Sequence, residues 1–434
     1  MTKNKVLLIT HDFFPDNSPN TYRWLNVLKE WKRNRDIEIY VVASKQDGFL
    51  DYEEIHGIRI FRTGDSWFNK IKGKLLRVSN TKENVPSAVG NKVYKESLLR
   101  KIYNLTWKKI YFPDFAFLWQ KSAYKEAQKL IKENDIENVI TVSWPFSGHV
   151  VGSKLKKNND IFWIADTIDP FYLSKAVNNN FLYNSLNYKY EKKILESADV
   201  VTVLTEKLKN KYASLYPAIA KKIVVNHNIF IPYNINFIDK NKDSDKIKLV
   251  FVGTLTPITR SPKKILDFFA ALLKYKDLQD KLELYFYGNV KQCSLIFNEY
   301  SDLLEKKIFV KGFMPRETIP NILSEADVLI NVGNNNEYQE PSKILEYVYL
   351  KKPILNICTI KNDTAKEMLE TYPMFFNVEE DEVTCKIRLG EFRTFLLSGT
   401  RSILSNDDVQ MRLKKYLISE VEQKYFKLLK QDNG

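Results

Sequence analysis

The fold is decided by one stretch in the second half of the chain. Residues 326–333 read Ala-Asp-Val-Leu-Ile-Asn-Val-Gly, and residues 337–357 read Glu-Tyr-Gln-Glu-Pro-Ser-Lys-Ile-Leu-Glu-Tyr-Val-Tyr-Leu-Lys-Lys-Pro-Ile-Leu-Asn-Ile. The first run is apolar and predicts a buried strand that ends at its glycine. The second predicts a helix over about 341–350, stopped by Pro353, and then another strand. This order of elements is one unit of an α/β fold.

The start of that helix suits a nucleotide. In parallel sheets, ligands bind where loops and helix N-termini meet at the carboxyl ends of the strands. The backbone N–H groups of Ser342, Lys343 and Ile344 predict an anion site for phosphate, and the first two residues add a hydroxyl and a cation. Glu346 follows on the same face, one turn deeper. Its carboxylate is placed to accept two hydrogen bonds from ribose hydroxyls.

A simpler interpretation is an ordinary buried helix whose glutamate is solvated. The helix is apolar on nearly all sides, which predicts that it is buried. A glutamate on a buried helix needs a partner. We therefore favour the role in ligand binding.

The composition predicts two α/β domains and excludes several classes of protein. A chain of 434 residues with 44% hydrophobic residues is long enough for two or three domains with substantial cores. No apolar run is long enough to cross a membrane. The apolar stretch near the first residue is too short for a signal peptide, so we expect a cytoplasmic protein.

Cysteine and charge narrow the choice of partners. Cys293, Cys358 and Cys385 are odd in number and scattered, which favours a reducing compartment and argues against structural zinc. We expect no metal and no cofactor. The formal net charge of +14 predicts an anionic partner, such as a membrane, a phosphorylated substrate or nucleic acid. An AT-rich genome would also enrich lysine, so the charge alone is weak evidence.

Strands and helices alternate along both halves of the chain. Residues 5–10 predict a first strand, 11–20 a turn-rich loop and 21–33 a helix, and further strands and helices follow. A polar linker at 233–246 precedes a second series of the same kind. Residues 409–430 predict one long amphipathic helix.

These elements predict an α/β fold of two Rossmann-like domains whose parallel sheets face one another across a cleft. The predicted domains are 1–235 and 236–408, and a terminal helix at 409–434 follows them. Strands of the second series end in glycine, which predicts close backbone approach at one rim of that sheet. These glycines are Gly253, Gly288, Gly312 and Gly333.

Residues 66–125 interrupt the alternation. Aromatic and leucine side chains interleave there with lysine and arginine at roughly helical spacing. This pattern predicts a surface that lies on an anionic membrane. Two amphipathic helices with inward-facing aromatic rings fit almost as well. The basic character of the whole chain favours membrane contact.

Five motifs stand in a fixed order along the chain. They are Trp163-Ile-Ala-Asp-Thr-Ile-Asp-Pro170, Val252-Gly-Thr-Leu255 with Arg260-Ser-Pro262, Leu284-Tyr-Phe-Tyr-Gly288, Ala326-Asp-Val-Leu-Ile-Asn331, and Pro341-Ser-Lys-Ile-Leu-Glu-Tyr347 with Lys352-Pro-Ile-Leu355. In this order the chain resembles, over nearly its whole length, the GT-B glycosyltransferases. It is most similar to the retaining family-4 type of bacterial surface-polysaccharide pathways.

The resemblance implies an enzyme that transfers a sugar with retention and without a metal. It also implies that the last helix, at 409–434, crosses back to the first domain. The donor is a nucleoside diphosphate sugar, for which we expect a UDP-sugar, and it binds the second domain. The acceptor is a glycan or an undecaprenyl-linked glycan, and it binds the first. Capsule, O-antigen of lipopolysaccharide and exopolysaccharide are the implied products. The implied location is peripheral, at the inner face of the plasma membrane.

The resemblance also assigns residues by position. Glu346 would hold the ribose hydroxyls, and Ser342 and Lys343 would lie close to the diphosphate. Arg260 would neutralise the leaving diphosphate. Gly253 and Thr254 would lie beneath that diphosphate. Arg260 and Lys343, together with His149 in the first domain, form the implied catalytic set.

The first domain carries the remaining candidates. His149 would lie near the transferred sugar, although a packing role at a helix start fits equally well. His11 and the loop that ends at Asn20 would face donor and acceptor. Asp166 and Asp169 lack a third ligand for a cation, which favours a structural turn or an acceptor contact.

The chain departs from the family pattern in two places. Tyr338 stands where many members have a second glutamate, and Glu337 and Glu340 are candidates for that acidic role. Ser18-Pro-Asn20 replaces the usual pair of glycines in the first loop. A GT-B sugar-nucleotide 2-epimerase and a non-catalytic partner subunit therefore remain alternatives. Nucleic-acid binding is disfavoured, because the basic residues are spread over many helices.

Overall fold

The chain forms two compact units in a computed structural model. Unit 1 is built from described residues up to 229 and from 415 onward, and unit 2 from residues 230 to 414. The structure describes residues 4–16, 18–64, 111–174, 180–234, 245–379, 382–398 and 404–430.

The described strands alternate with helices along both units. The strands are β1 (Asn4–Ile9), β2 (Ile37–Ser44), β3 (Tyr52–Ile55), β4 (Ile58–Thr63), β5 (Asn138–Ser143), β6 (Phe162–Thr167), β7 (Val200–Val203), β8 (Ile223–Val225), β9 (Ile247–Val252), β10 (Leu282–Tyr287), β11 (Ile308–Gly312), β12 (Val328–Val332), β13 (Ile354–Ile357) and β14 (Phe375–Val378).

The described helices vary from one turn to nearly five turns in length. They are α1 (Pro19–Asn34), α2 (Trp119–Asn134), α3 (Ser147–Asn158), α4 (Asn180–Glu196), α5 (Glu206–Leu215), α6 (Lys263–Leu272), α7 (Lys276–Gln279), α8 (Ser294–Asn298), α9 (Ile319–Glu325), α10 (Lys343–Tyr349), α11 (Thr364–Leu369), α12 (Glu382–Ser398), α13 (Asn406–Leu413) and α14 (Ile418–Leu428). Short 3-10 turns lie at Pro217–Lys222, Lys291–Cys293, Arg316–Thr318 and Lys414–Tyr416.

Unit 1 holds an eight-stranded sheet in the order β3-β4-β2-β1-β5-β6-β7-β8. Neighbouring strands pair in parallel, apart from the antiparallel pair of β3 and β4. The central strand β5 is buried along its whole length, as its apolar run predicts for a parallel sheet covered on both faces. The carboxyl ends of β1, β5 and β6 therefore lie side by side.

The first helix begins earlier than the sequence predicted. Ser18 accepts a hydrogen bond from the N–H of Thr21 at 3.1 Å, which caps α1, and Pro19 occupies the first turn. Serine at the cap and proline in the first turn are favoured helix-start residues. The loop after β1 thus ends at Ser18, and Asn20 lies on the helix.

The prediction of one helix over 409–430 is wrong. The chain forms α13, a 3-10 turn at Lys414–Tyr416 and then α14. Helix α13 packs against α10 in unit 2, whereas α14 packs against α1 in unit 1. There the indole N–H of Trp31 donates to the carbonyl of Glu422 at 3.2 Å, and Arg35 forms an ion pair with Glu422 at 3.1 Å.

Unit 2 holds a six-stranded, all-parallel sheet in the order β11-β10-β9-β12-β13-β14. Its strands supply a continuous buried core with α6 and α12. The predicted close approach at the glycine rim is confirmed at Gly288, whereas a Cβ atom on Gly312 would meet nothing within 4 Å. A Cβ atom on Gly288 would lie 2.1 Å from the carbonyl oxygen of Gly253, and Gly288 has a φ of +116°.

We expect Gly288→Ala to destabilise the protein by at least about 2 kcal/mol, because the added methyl meets fixed backbone at a left-handed φ. Chemical denaturation measures this loss. Gly390→Ala is the matched control, since a Cβ on that helical glycine meets nothing within 4 Å. Equal stability of the two variants would contradict the close approach.

The predicted membrane segment is only partly covered by the structure. Positions 66–110 of the 66–125 segment lie outside the described residues. Phe115 and Leu118, in the part that is described, are 37% and 50% exposed. Among the residues that the structure describes, no helix combines the length and apolar character that crossing a membrane requires.

Candidate functional site

Three loops of unit 2 are tied together at the carboxyl ends of β9, β12 and β13. The loop after β9 is a tight hairpin, in which Thr256 and Arg260 exchange backbone hydrogen bonds of 3.1 and 3.3 Å. The N–H of Asn335, after β12, donates to the carbonyl of Thr259 at 3.1 Å. The hydroxyl of Thr364, after β13, donates to the carbonyl of Gln339 at 2.7 Å. This edge of the sheet is where α/β folds bind ligands.

Arg260 is a cation held at that edge without full compensation. Its guanidinium lies against Gly253, 3.9 Å from where a Cβ on that glycine would be. Among the described residues, its Nε atom is buried and has no hydrogen-bond partner. Burial lowers the pKa of Arg260, while Tyr347 and Asp363 act in the opposite direction. Arginine stays protonated in proteins, so this site offers a positive charge to an anion.

Lys343 and Glu346 form an ion pair on α10. Lys343 Nζ donates to Glu346 Oε1 at 3.0 Å, and the side chains are 32% and 19% exposed. The glutamate is therefore largely enclosed by protein, with a lysine as its partner. A bound nucleotide would meet a carboxylate for its hydroxyls and an ammonium for its phosphates, three residues apart.

The helix start differs from the prediction in one functional detail. Helix α10 begins at Lys343, and the N–H of Ile344 donates to the carbonyl of Pro341 at 3.1 Å. The predicted free N–H of Ile344 is therefore wrong, because the tight turn after Pro341 uses it. The anion site is reduced to the amides of Ser342 and Lys343. Thr254 and Ser342 are exposed at this edge.

Tyr338 fills the interior of unit 2. Its side chain is 8% exposed, and burial together with a hydrogen bond to Glu337 raises the pKa of Tyr338 to about 12. Glu337 also accepts a hydrogen bond of 3.1 Å from Asn362. The acidic role expected in this loop is left to Glu337 and Glu340, which are both partly exposed.

Asp363 was not singled out from the sequence. It is buried, and its Oδ1 accepts hydrogen bonds from the N–H groups of Ala365 at 2.8 Å and Lys366 at 3.2 Å, which caps α11. A Cβ on Gly333 would lie 2.2 Å from Asp363 Oδ2. The pattern of an aspartate before a short amphipathic run was a readable cap signal. Its closeness to Gly333 was not readable.

His149 lies in the interior of unit 1 and not at an open site. It is completely buried, and its ring nitrogens bond to the hydroxyls of Thr141 at 2.7 Å and Thr167 at 3.2 Å. Burial lowers the pKa of His149 to about 3, so the ring is neutral. With both nitrogens occupied it offers no group to a substrate, and we leave it out of the site proposed below.

The other unit 1 candidates lie at the carboxyl ends of β1, β5 and β6. His11, after β1, pairs with Asp12 at 2.6 Å and packs edge-on against Phe115. Asn20 donates to the carbonyl of Trp144 at 3.2 Å. Asp169, after β6, is bound through its own carbonyl by the Ser143 hydroxyl at 2.9 Å.

Asp166 has a structural role. Its carboxylate accepts hydrogen bonds from Trp24 at 2.9 Å, Thr202 at 2.6 Å and Tyr425 at 2.5 Å. The Tyr425 hydroxyl also accepts from the buried Arg23 at 2.7 Å. This network fixes α14 to α1 and the sheet of unit 1, in agreement with the structural alternative for Asp166.

The sequence matches no protein-family model and no curated protein. Solved structures do match it. Sucrose-phosphate synthase from Thermosynechococcus elongatus superposes with a TM-score of 0.67 at 11% identity, covering 98% of each chain. HepE of Anabaena, in complex with UDP and glucose, gives 0.63 at 13% identity and the same coverage.

A third match is WaaG, a glycosyltransferase involved in lipopolysaccharide biosynthesis, with a TM-score of 0.57 at 11% identity over 99% of this chain and 100% of that one. The chain has the GT-B fold. The predicted class, two Rossmann-like units with parallel sheets, is confirmed. At these identities the GT-B match establishes the fold alone.

Proposed function

We propose that the chain is a glycosyltransferase that takes a sugar from a nucleoside diphosphate sugar, most simply a UDP-sugar. The observation that carries this proposal is the partly buried guanidinium of Arg260, which lies against Gly253 and whose Nε has no hydrogen-bond partner among the described residues, in a chain with the GT-B fold. A diphosphate is the anion that this arrangement fits. The UDP and glucose held by HepE support the choice of donor.

Different residues of unit 2 bind different parts of the donor. Arg260 and the amides of Ser342 and Lys343 take the diphosphate, and Glu346 takes the ribose hydroxyls. Lys343 and Glu346 bond to each other at 3.0 Å. Donor binding would replace that one contact by two, ammonium to phosphate and hydroxyl to carboxylate. These are charge-assisted bonds on both sides.

Departure of the diphosphate is the step that these groups assist. The bond between the sugar C1 and the phosphate oxygen breaks, and negative charge grows on that oxygen. Fixed donors aimed at growing charge are the largest usual contribution to such catalysis. For retention, the acceptor oxygen bonds to C1 on the same face. Its proton passes to the departing phosphate oxygen, so no metal and no carboxylate nucleophile are required.

The proposed acceptor is a glycan or an undecaprenyl-linked glycan of capsule, O-antigen or exopolysaccharide. WaaG, which acts in lipopolysaccharide biosynthesis, supports this choice. The net charge of +14 and the exposed Phe115 and Leu118 support attachment to the inner face of the plasma membrane. Vesicle flotation tests the attachment: we expect binding to anionic vesicles only, and equal binding to neutral vesicles would contradict it.

We expect UDP to be released from a UDP-sugar only when a glycan acceptor is present. A coupled assay for free UDP, run with a panel of UDP-sugars and with lipid-linked oligosaccharides as acceptors, measures this. A 2-epimerase of the same fold would change the donor sugar without any acceptor. The product anomer, read by NMR, and activity in the presence of a chelator test retention and metal independence. An equal rate of UDP release with and without the acceptor would contradict the proposal that the chain is a glycosyltransferase.

A non-catalytic partner subunit is the second candidate. Tyr338 is buried at the position where an acidic residue was expected, and this observation favours a weakened donor site. This alternative predicts UDP binding without turnover in the same assay, whichever acceptor is offered.

A further inference from the structure

The carboxylate of Asp169 differs from the other buried acids of unit 1 in its lack of hydrogen-bond partners within the described part of the chain. It follows β6, and its main-chain carbonyl accepts from the Ser143 hydroxyl at 2.9 Å. Among the described residues, Asp169 Oδ1 is buried and has no hydrogen-bond partner. The acids around it are satisfied, since Asp166 has three donors and Glu191 of α4 has four.

The loop that carries Asp169 is not free to relax. The N–H groups of Phe171 and Tyr172 donate to Glu191 at 2.9 and 3.0 Å. The same carboxylate accepts from the hydroxyls of Tyr212 at 2.5 Å and Tyr216 at 2.9 Å. A buried carboxylate with four donors anchors the loop firmly. Asp169 is thus held where it lies, although its own carboxylate lacks a full set of donors.

The surroundings of Asp169 have the chemistry of a sugar site. Asn20 donates to the carbonyls of Trp144 at 3.2 Å and Ser143 at 3.4 Å, which places an amide beside the end of β5. The Trp144 ring lies 6.4 Å from that of Phe115, and Phe115 is 37% exposed. Aromatic rings cover the apolar face of a sugar, and carboxylates and amides bind its hydroxyls.

Charge around Asp169 is not compensated. Burial raises the pKa of Asp169 to about 6, and no cation among the described residues offsets this shift. The carboxylate can therefore accept hydrogen bonds from a ligand, and it would repel a second anion.

We propose that Asp169 binds hydroxyl groups of the acceptor sugar and makes this site select a neutral glycoside over an anionic one. The proposal rests on the proposed function, and it names the class of acceptor that unit 1 takes. A neutral sugar supplies hydroxyl donors to a partly exposed carboxylate that lacks them among the described residues. A uronic acid or a sugar phosphate brings a like charge to a carboxylate that has no counter-ion.

Binding of defined glycosides tests the proposal. The probes are the p-nitrophenyl β-glycosides of glucose, galactose, N-acetylglucosamine and glucuronic acid, titrated by saturation-transfer NMR into the full chain with UDP at pH 7.5. We expect at least one neutral glycoside to bind about tenfold or more tightly than the glucuronide. Asp169→Asn should lower the affinity for that glycoside by about tenfold to a hundredfold. The ratio of its affinity to that of the glucuronide should then be close to one.

The matched control is Asp160→Asn, which makes the same change of charge at an exposed position before β6. It should leave both affinities unchanged. Binding of the best neutral glycoside within twofold of wild type in Asp169→Asn would overturn the proposal. So would the failure of all three neutral glycosides to bind while UDP binds. UDP affinity itself should not change in this variant, and absence of UDP binding in the wild type counts against the proposed function instead.

Thermal stability gives a readout that a merely structural aspartate would not give. The folded state raises the Asp169 pKa from 3.8 to about 6 and so holds the proton more tightly than the unfolded state. Stability is therefore lost as pH rises through this window. Asparagine does not titrate, so its contribution to stability does not fall as the pH rises. Asp169→Asn should therefore melt at least about 2 °C higher than wild type at pH 7.5 and show no such gain at pH 4. A lower melting temperature at pH 7.5 would overturn the proposal.

Discussion

Arg260→Ala is expected to lower turnover by about a thousandfold while the protein remains folded. The guanidinium lies against Gly253 at the carboxyl end of β9, and its Nε is buried without a hydrogen-bond partner among the described residues. In the proposed reaction, negative charge develops on the departing diphosphate beside this partly buried cation, and partial burial strengthens the attraction between them. A steady-state assay of UDP release measures the effect.

Stability should change little in the same variant. Burial lowers the pKa of Arg260, which means that the folded protein holds this cation at a cost. Its removal relieves that cost, so we expect a melting temperature within a few degrees of wild type. Arg316→Ala, at an exposed position in unit 2, is the control and should keep full activity. Activity of Arg260→Ala within tenfold of wild type would remove this residue from the site.

Glu346→Ala is expected to weaken UDP binding by about a hundredfold. The carboxylate would lose two charge-assisted hydrogen bonds to the ribose, each worth roughly 1.5–3 kcal/mol. Part of this loss is offset, because Lys343 is freed from its 3.0 Å ion pair and turns its charge toward the phosphates. Calorimetry with UDP gives the affinity of each variant.

Comparison with 2′-deoxyUDP separates the two contributions. Wild type should prefer UDP over 2′-deoxyUDP by about tenfold or more, and Glu346→Ala should show almost no preference. The freed lysine affects both ligands equally and cancels from the ratio. Glu367→Ala, exposed on α11, is the matched control and should keep the preference. If Glu346→Ala prefers UDP over 2′-deoxyUDP as strongly as wild type does, another group binds the ribose 2′-hydroxyl.

Much of the fold was readable from local signals. The apolar run 326–333 predicted β12, and glycines at strand ends predicted the close approach of Gly253 and Gly288, because both signals depend on residues a few positions apart. The break between α13 and α14 was not readable. Lys414–Tyr416 contains neither glycine nor proline, and the two helices pack against different units.

The candidate site was readable only in part. Arg260 lies in the loop after β9, and Lys343 and Glu346 form an ion pair on α10, but their roles in donor binding stay predictions. The interior position of His149 was not readable, because its partners Thr141 and Thr167 come from two different strands. Long-range polar contacts leave no local signal.

The row of buried asparagines across β12, β13 and β14 was missed for the same reason. Asn331 donates to Asn356 at 2.6 Å, and Asn356 donates to Asn377 at 2.8 Å, over separations of 25 and 21 residues. All three share one register across the sheet. Such a row fixes the alignment of the strands that end at the candidate site.

The central claim is that unit 2 binds a nucleoside diphosphate between Arg260 and Glu346. Calorimetric titration of UDP into the unaltered chain tests this claim most directly. We expect saturable binding at one site per chain, lost or sharply weakened in the two alanine variants. No saturable binding of UDP, ADP or GDP at millimolar concentration, or wild-type affinity in both variants, would contradict it.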